Sequence, residues 1–254
     1  MAGTEAGAAS LRWNGEALRL RPDGALWWPG GGTLFAADLH LGKGTAFRAR
    51  GIPVPTGDTR SDLARLDRAV EESGAARVVL LGDLFHAPES RDARVERGLA
   101  RWRAGRPALE VTLVRGNHAH RAGDPDPALG MEVVEAPAQL GPFELRHIPP
   151  RAEERGKAGS HQAPEAGADS GSSPARSRAR PPGAPPVLAG HLHPVVRLHG
   201  PARDRARLPC FWVRPRTLVL PAFGSFTGGW SVPVARGDRI FVPVEGAVVE
   251  VGVG

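Results

Sequence analysis

Two short stretches, Arg77–Leu81 and Val111–Val114, are apolar almost without interruption. A run that short is too small to cover itself, so it has to be buried on both faces, the situation of a strand inside a covered sheet. Apolar residues recur at helical spacing between these strands and ahead of them. Leu63, Leu66 and Val70 form one stripe ending at Gly74, and Val95, Leu99 and Trp102 form another within Arg91–Ala104. With the strand Thr33–Ala37 in front, the order is strand, helix, strand, helix, strand, which argues for a layered α/β fold.

Upstream, Glu16–Leu20 and Ala25–Trp28 read as short strands divided by Pro22–Gly24 and Pro29–Gly32. After Gly130 the helical signal fades. Glu132–Val134, Phe143–His147, Val187–Ala189, Val195–Leu198, Thr217–Leu220, Arg239–Val242 and Ala247–Val251 all read as strands. A mostly β second half predicts a second sheet packed on the first within one domain over 11–254. The stretch 149–186 interrupts that domain. It contains no Val, Ile, Leu, Met, Phe, Trp or Cys, so it has nothing large to bury against its ordering entropy and is expected to be a disordered insertion. The remainder, in a chain of 254 residues that is 41% hydrophobic, is enough for a core.

The single cysteine, Cys210, excludes an intramolecular disulfide and any CxxC motif, and is expected to be a packed thiol. No run of about 18 apolar residues occurs, and Met1–Ser10 lacks the pattern of a signal peptide. The expectation is a soluble, cytoplasmic protein. The net charge of +6 rests on 33 basic residues, of which only Lys43 and Lys157 are lysine. Guanidinium groups suit phosphate partners, but a compositional bias toward Arg, Ala, Gly and Pro produces the same excess, so charge alone does not establish a nucleic-acid partner.

The ionisable ligands collect where strands end. Asp38 and His40 follow Thr33–Ala37, and residues at i and i+2 of an extended segment point to the same side, so both can reach one ion. Asp83 follows Val78–Leu81, Asn117 and His118 follow Val111–Val114, His147 closes Phe143–His147, and His191 with His193 follows Val187–Ala189. Loops at the carboxyl ends of strands are where open α/β sheets place their sites. Mixed imidazole, carboxylate and amide donors suit Mn, Fe, Zn, Co or Ni. They are too many for one tetrahedral ion, and two ions about 3.5 to 4 Å apart would use them all. No GxxxxGK[ST], GxSxG or HExxH motif offers a competing chemistry.

Asp-x-His, Gly-Asp, Gly-Asn-His, a later His and Gly-His-x-His in this order resemble the calcineurin-like metallophosphoesterase superfamily. Within it, Ala-Asp-Leu-His-Leu-Gly-Lys-Gly at 37–44, Gly-Asp-Leu-Phe-His at 82–86, Gly-His-Leu-His-Pro at 190–194, Leu-Pro-Cys-Phe at 208–211 and Leu-Pro-Ala-Phe-Gly-Ser-Phe-Thr-Gly-Gly at 220–229 are similar to the bacterial ligase-associated DNA damage response endonucleases. The last stretch is the most specific, and it contains no metal ligand.

The resemblance implies an α/β fold of two packed mixed sheets flanked by helices, with a dinuclear metal site at strand ends. Asp38, His40 and His193 would hold one ion, Asn117, His147 and His191 the other, and Asp83 would bridge them. The ions would most naturally be Mn²⁺. His118 would stand beside the scissile phosphate, and His86 would contact substrate or serve as a buried neighbour. A hydroxide between the ions would attack phosphorus in line. Arg48, Arg115 and Arg121 lie near the motifs as candidate substrate contacts. The implied setting is DNA repair, with a DNA ligase, helicase and exonuclease as partners. A phosphodiesterase or phosphatase for small or cyclic nucleotides, and a non-catalytic scaffold in a repair complex, remain alternatives. Two departures stand out. Ala119 follows Gly-Asn-His where many relatives carry a carboxylate that orients the histidine, so Asp124 or Asp126 would have to fold back to replace it. Ile148 follows His147 where relatives often carry Glu.

Overall fold

A computed structural model describes residues 7–150, 183–199 and 205–252. Most of the expected insertion at 149–186 therefore lies outside the described residues. Contacts group Met1–Pro149 with Pro185–Gly254 in one unit.

The first sheet follows chain order: β1 (Ala9–Trp13), β2 (Glu16–Leu20), β3 (Leu26–Trp28), β4 (Thr33–Ala37), β5 (Arg77–Leu81), β6 (Glu110–Val114) and β7 (Glu132–Val134). Antiparallel hairpins build its β1–β4 side, and β4 to β7 run parallel. The crossovers carry α1 (Lys43–Ala49), α2 (Asp58–Ser73), α3 (Ala93–Ala104) and the single turn α4 (Ala119–Ala122). On α2 the expected stripe of Leu63, Leu66 and Val70 is buried, and Gly74 closes the helix in the left-handed region. The helix begins earlier than its apolar stripe, with Asp58 in its first turn, where a carboxylate complements the helix dipole. On α3, Asp92 caps the amino end by accepting from the Arg94 and Val95 amides.

The second sheet comprises β8 (Ala138–Leu140), β9 (Phe143–Leu145), β10 (Val187–Ala189), β13 (Phe211–Val213), β14 (Thr217–Val219), β16 (Arg239–Val244) and β17 (Ala247–Val251), in the spatial order β17-β16-β13-β14-β10-β9-β8. A small third sheet of β11 (Pro194–His199), β12 (Arg205–Pro209) and β15 (Trp230–Ser231) was not expected as a separate layer.

Strand alternation divides the core. Leu34, Ala36, Val78, Leu80, Val111 and Leu113 face α2 and α3, while Phe35, Ala37, Val79, Leu81 and Val114 face the second sheet. Burial on both faces explains why β5 and β6 read as continuous apolar runs. Trp13, Trp28 and Phe35 converge on Phe143, with ring centroids 6.1, 5.1 and 6.3 Å away. Each such ring taken out of water contributes about 1.5–3 kcal/mol, and together they lock the sheets face to face. Strand ends from both sheets are thereby brought to one edge of the sandwich. Cys210 is buried, and burial pushes its thiol up to about 12, as suits a packed group. Among the described residues no helix is long and apolar enough to cross a membrane.

Candidate metal centre

The turns that leave the strands carry unusual backbone. Among the described residues, seven non-glycine positions have a positive φ, and five of them are Asp38, His40, Asp83, His191 and His193. A side chain in that region is strained, and such strain persists only where surrounding structure over-determines it. It aims side chains from separate strands at one point. The glycines before these residues serve two purposes. Gly82 is a permissive hinge, with φ of 88°. Gly116 and Gly190 are not in the left-handed region and are required for space instead: a Cβ at Gly116 would lie 2.2 Å from Asp83 Oδ1, and one at Gly190 would lie 2.7 Å from Asp38 Oδ2.

Two clusters result. Asp38, His40 and His193 form the first, and Asp83, His147 and His191 the second. In the first, His40 Nε2 and His193 Nε2 are 3.2 Å apart. In the second, His147 Nε2 is 3.1 Å from His191 Nδ1 and 2.8 Å from Asn117 Oδ1. Two ligand atoms about 2.1 Å from one ion, at angles near 90–110°, are separated by about 3.0–3.4 Å. The imidazole spacings match the edges of a coordination sphere.

The carboxylates are held alike. Asp38 Oδ2 accepts from the His191 amide at 2.7 Å, and Asp83 Oδ1 accepts from the His118 amide at 3.0 Å. Each leaves its second oxygen for the centre. Asp38 Oδ1 is buried with no hydrogen-bond partner, a costly condition for a carboxylate unless a cation completes it. Asp83 Oδ2 lies 3.2 Å from His147 Nε2 and 4.0 Å from His40 Nε2, between the two clusters. His147 Nδ1 donates to the Leu81 carbonyl at 3.1 Å, leaving Nε2 as the donor atom for a metal. The residues therefore fit a pair of divalent ions.

The electrostatics agree. Burial pushes His40 down to about 3 despite the pull of Asp38, and burial and the neighbouring His147 also lower His191. Both are kept neutral, the form that ligates. Burial alone would raise Asp38 and Asp83, but the facing His193, His147 and His40 imidazoles hold both below the usual carboxylate range, with a hydrogen bond from His147 to Asp83. Burial opposes protonation of His147, yet its bond to Asp83 raises it. Without a cation, a proton would be needed between those two groups.

His118 is oriented in an unexpected way. Asp124 is engaged with Arg115 and Asp126 caps a turn at Ala128, so neither folds back to replace the carboxylate missing at Ala119. The His118 Nδ1–H instead donates to the main-chain carbonyl of His86 at 2.6 Å, directing Nε2 toward Asp83 Oδ2, 3.8 Å away. The two rings stack with centroids 5.3 Å apart. His86 thus meets His118 through both backbone and ring.

Of the arginines near the motifs, Arg48 bonds the carbonyls of Val54 and Pro55, and Arg115 forms a bidentate pair with Asp124 and a further bond with Glu135. Arg121 is exposed on α4 with no side-chain partner among the described residues. Lys43 was not singled out as a site residue. It is 8% exposed, and its ammonium is lowered by burial against the pull of Asp38 and Asp83. Its rarity was the available signal, since nearly every other cation in the chain is arginine.

A layered α/β scaffold presenting paired imidazole–carboxylate clusters at its strand ends is suited to hold a pair of divalent ions. No protein-family model matches the chain, and no curated protein sequence does. Among solved structures, the crystal structure of the Pseudomonas putida nuclease MPE is similar, with 35% sequence identity and a TM-score of 0.74 over 96% of this chain and 100% of that one. The chain belongs to the metallophosphoesterase family that includes this nuclease.

Proposed function

We propose that this enzyme is a two-metal nuclease that hydrolyses phosphodiester bonds of DNA in repair, as one domain over 11–254 interrupted by an insertion at 149–186. The observation that carries the reading is the Asp83 oxygen that faces both clusters of similar composition, 3.2 Å from His147 Nε2 and 4.0 Å from His40 Nε2, on a chain 35% identical to a nuclease. Asp38, His40 and His193 would hold one ion, His147, His191 and Asn117 the other, with Asp83 shared. When bound, such ions, here Mn²⁺, lower the pKa of water and neutralise charge on the phosphate. His118, whose Nδ1 is committed to the His86 carbonyl, presents Nε2 as the group that passes a proton to the leaving oxygen.

The surface supports a polyanionic substrate. A groove of about 800 Å³ beside α1 is lined by Arg48, Arg60, Arg94, Arg97 and Arg101. Arg94, Arg97 and Arg101 fall on one exposed stripe of α3, where Arg94 lies near the Asp92 carboxylate and none of the three forms a side-chain hydrogen bond or ion pair among the described residues. The groove's acidic residues are engaged, Asp58 with the Gly44 amide and Asp92 as the α3 cap. The family resemblance adds a setting alongside a DNA ligase, helicase and exonuclease.

The protein reconstituted with Mn²⁺ is expected to cleave bis(p-nitrophenyl) phosphate and single-stranded or duplex DNA, and Asp83→Ala to abolish both activities. Activity retained in Asp83→Ala would overturn the mechanism, and preference for 2′,3′-cyclic nucleotides over DNA would overturn the substrate.

A further inference from the structure

The segment 221–229 supplies no ligand to either cluster, yet it is fastened to the first cluster at both ends. At one end the Phe223 and Gly224 amides donate to the carbonyls of Ala37 and Asp38 at 2.7 and 3.0 Å. Gly224 sits so close to the ligand turn that a Cβ there would lie 2.0 Å from the Leu39 carbonyl oxygen. At the other end the Trp230 amide donates to the His193 carbonyl at 3.0 Å. The loop thus spans from one ligand of the first cluster to another.

Its middle is pinned as firmly. The Ser225 amide and hydroxyl donate to the two oxygens of Asp62 at 2.9 and 2.7 Å, and Asp62 is 3% exposed. Arg65 joins Asp62 to the Phe223 carbonyl and lies over the Phe223 ring. The Thr227 hydroxyl closes the turn on the Gly224 carbonyl at 3.2 Å.

All of this bonding fixes one residue that makes no hydrogen bond of its own. Phe226 is held at φ of 57° and is 42% exposed. A bulky residue in the left-handed region is a genuine outlier, and such strain clusters where ligands are gripped. A large ring kept in water on a rigid support offers a flat apolar face two residues beyond Gly224, whose amide is bonded to the Asp38 carbonyl. The partner that fits is another flat face, and a strand with a phosphodiester at the centre carries one on every nucleotide. We propose that Phe226 stacks on a nucleobase of the strand whose phosphodiester lies at the metal centre. This rests on the nuclease reading, and it gives a role to the 220–229 signature that metal chemistry leaves unused.

The test compares wild type, Phe226→Ala and Phe226→Trp on a single-stranded oligonucleotide and on the same strand made abasic around the cleavage position. Stacking on one base predicts that Phe226→Ala raises KM about 5- to 160-fold on the base-bearing strand. It also predicts that kcat is little changed, that wild type and Phe226→Ala share one KM on the abasic strand, and that Phe226→Trp behaves as wild type. An unchanged KM on the base-bearing strand overturns the proposal, and so does an equal loss on both strands, which would mark a structural role. Should wild type cleave neither strand nor a duplex of the same sequence, the nuclease reading falls, and equilibrium binding of the two strands to the three proteins decides Phe226 by the same criterion.

Discussion

The two clusters have the same composition but are built differently. The first draws Asp38 and His40 from a single turn and is spanned by the segment 221–229. The second gathers Asp83, His147 and His191 from three separate turns, and Asn117 stands at its exposed edge. The first cluster rests on left-handed backbone at all three of its ligands, the second at Asp83 and His191 only. A cluster made from distant segments depends on packing: a Cβ at Gly82 would lie 1.9 Å from His147 Nδ1, so only glycine lets that imidazole reach its place. Both clusters bury two of their three ligands, so the difference rests on the loop across the first and on exposed Asn117 beside the second: the spanned cluster should release its ion slowly and the other quickly.

The largest effects come from breaking one cluster at a time. His40→Ala and His191→Ala should each reduce bound Mn²⁺ from two ions per chain to one and lower phosphodiester hydrolysis by at least about 10²-fold, since loss of mere outer-shell partners costs about 10–100-fold. Chelator release followed by metal analysis separates the two. Wild type should lose its ions in a fast and a slow phase, His191→Ala should lack the fast phase, and His40→Ala the slow one. Identical release from both variants would erase the distinction between the clusters.

A smaller effect tests the open edge. Asn117 offers an amide oxygen 2.8 Å from His147 Nε2, the weakest donor in the centre and the most exposed. Asn117→Ala should lower activity about 10-fold at limiting Mn²⁺ and recover most of it at saturating Mn²⁺. His191→Ala should not recover, because it removes an inner imidazole. Recovery of both, or of neither, would count against Asn117 being the peripheral ligand.

How much of this was visible in the residues depends on where the chemistry resides. Ligand side chains after strand ends could be read because each carries its chemistry in its own type and spacing. The His86 carbonyl that orients His118 could not, since every residue has a carbonyl and only the fold says which one arrives. The helix α1 was missed because its seven residues include Gly44 and Thr45 and show no apolar stripe. The strand β1 could have been found: Asn14-Gly15 between Trp13 and Glu16, with φ of 51° and 90°, is a strong hairpin signal. The third sheet stayed hidden because β15 has only two residues and pairs with a distant strand. The segment 221–229 was visible as a pattern and opaque as chemistry, because it works through main-chain bonds to Ala37, Asp38 and His193.

The smallest expected effect concerns how charge is distributed around the two clusters. Arg115 borders the recess of about 290 Å³ beside Asn117 and His147, but Asp124 and Glu135 already occupy its guanidinium, and Arg146 in the same recess is paired with Glu144. The basic mouth of the second cluster is thus largely neutralised within the protein. Beside α1, which follows the His40 turn of the first cluster, Arg94, Arg97 and Arg101 have no such partners among the described residues. If a strand's backbone runs along the first-cluster side, Arg94→Gln/Arg97→Gln/Arg101→Gln should reduce the slope of log affinity against log salt by about 2, at roughly 0.7 for each phosphate contact of a single strand. Arg115→Ala should leave that slope unchanged and shift activity by no more than about twofold, as expected for an exposed ion pair. A reversed pattern, with the slope carried by Arg115, would place the strand along the second cluster instead.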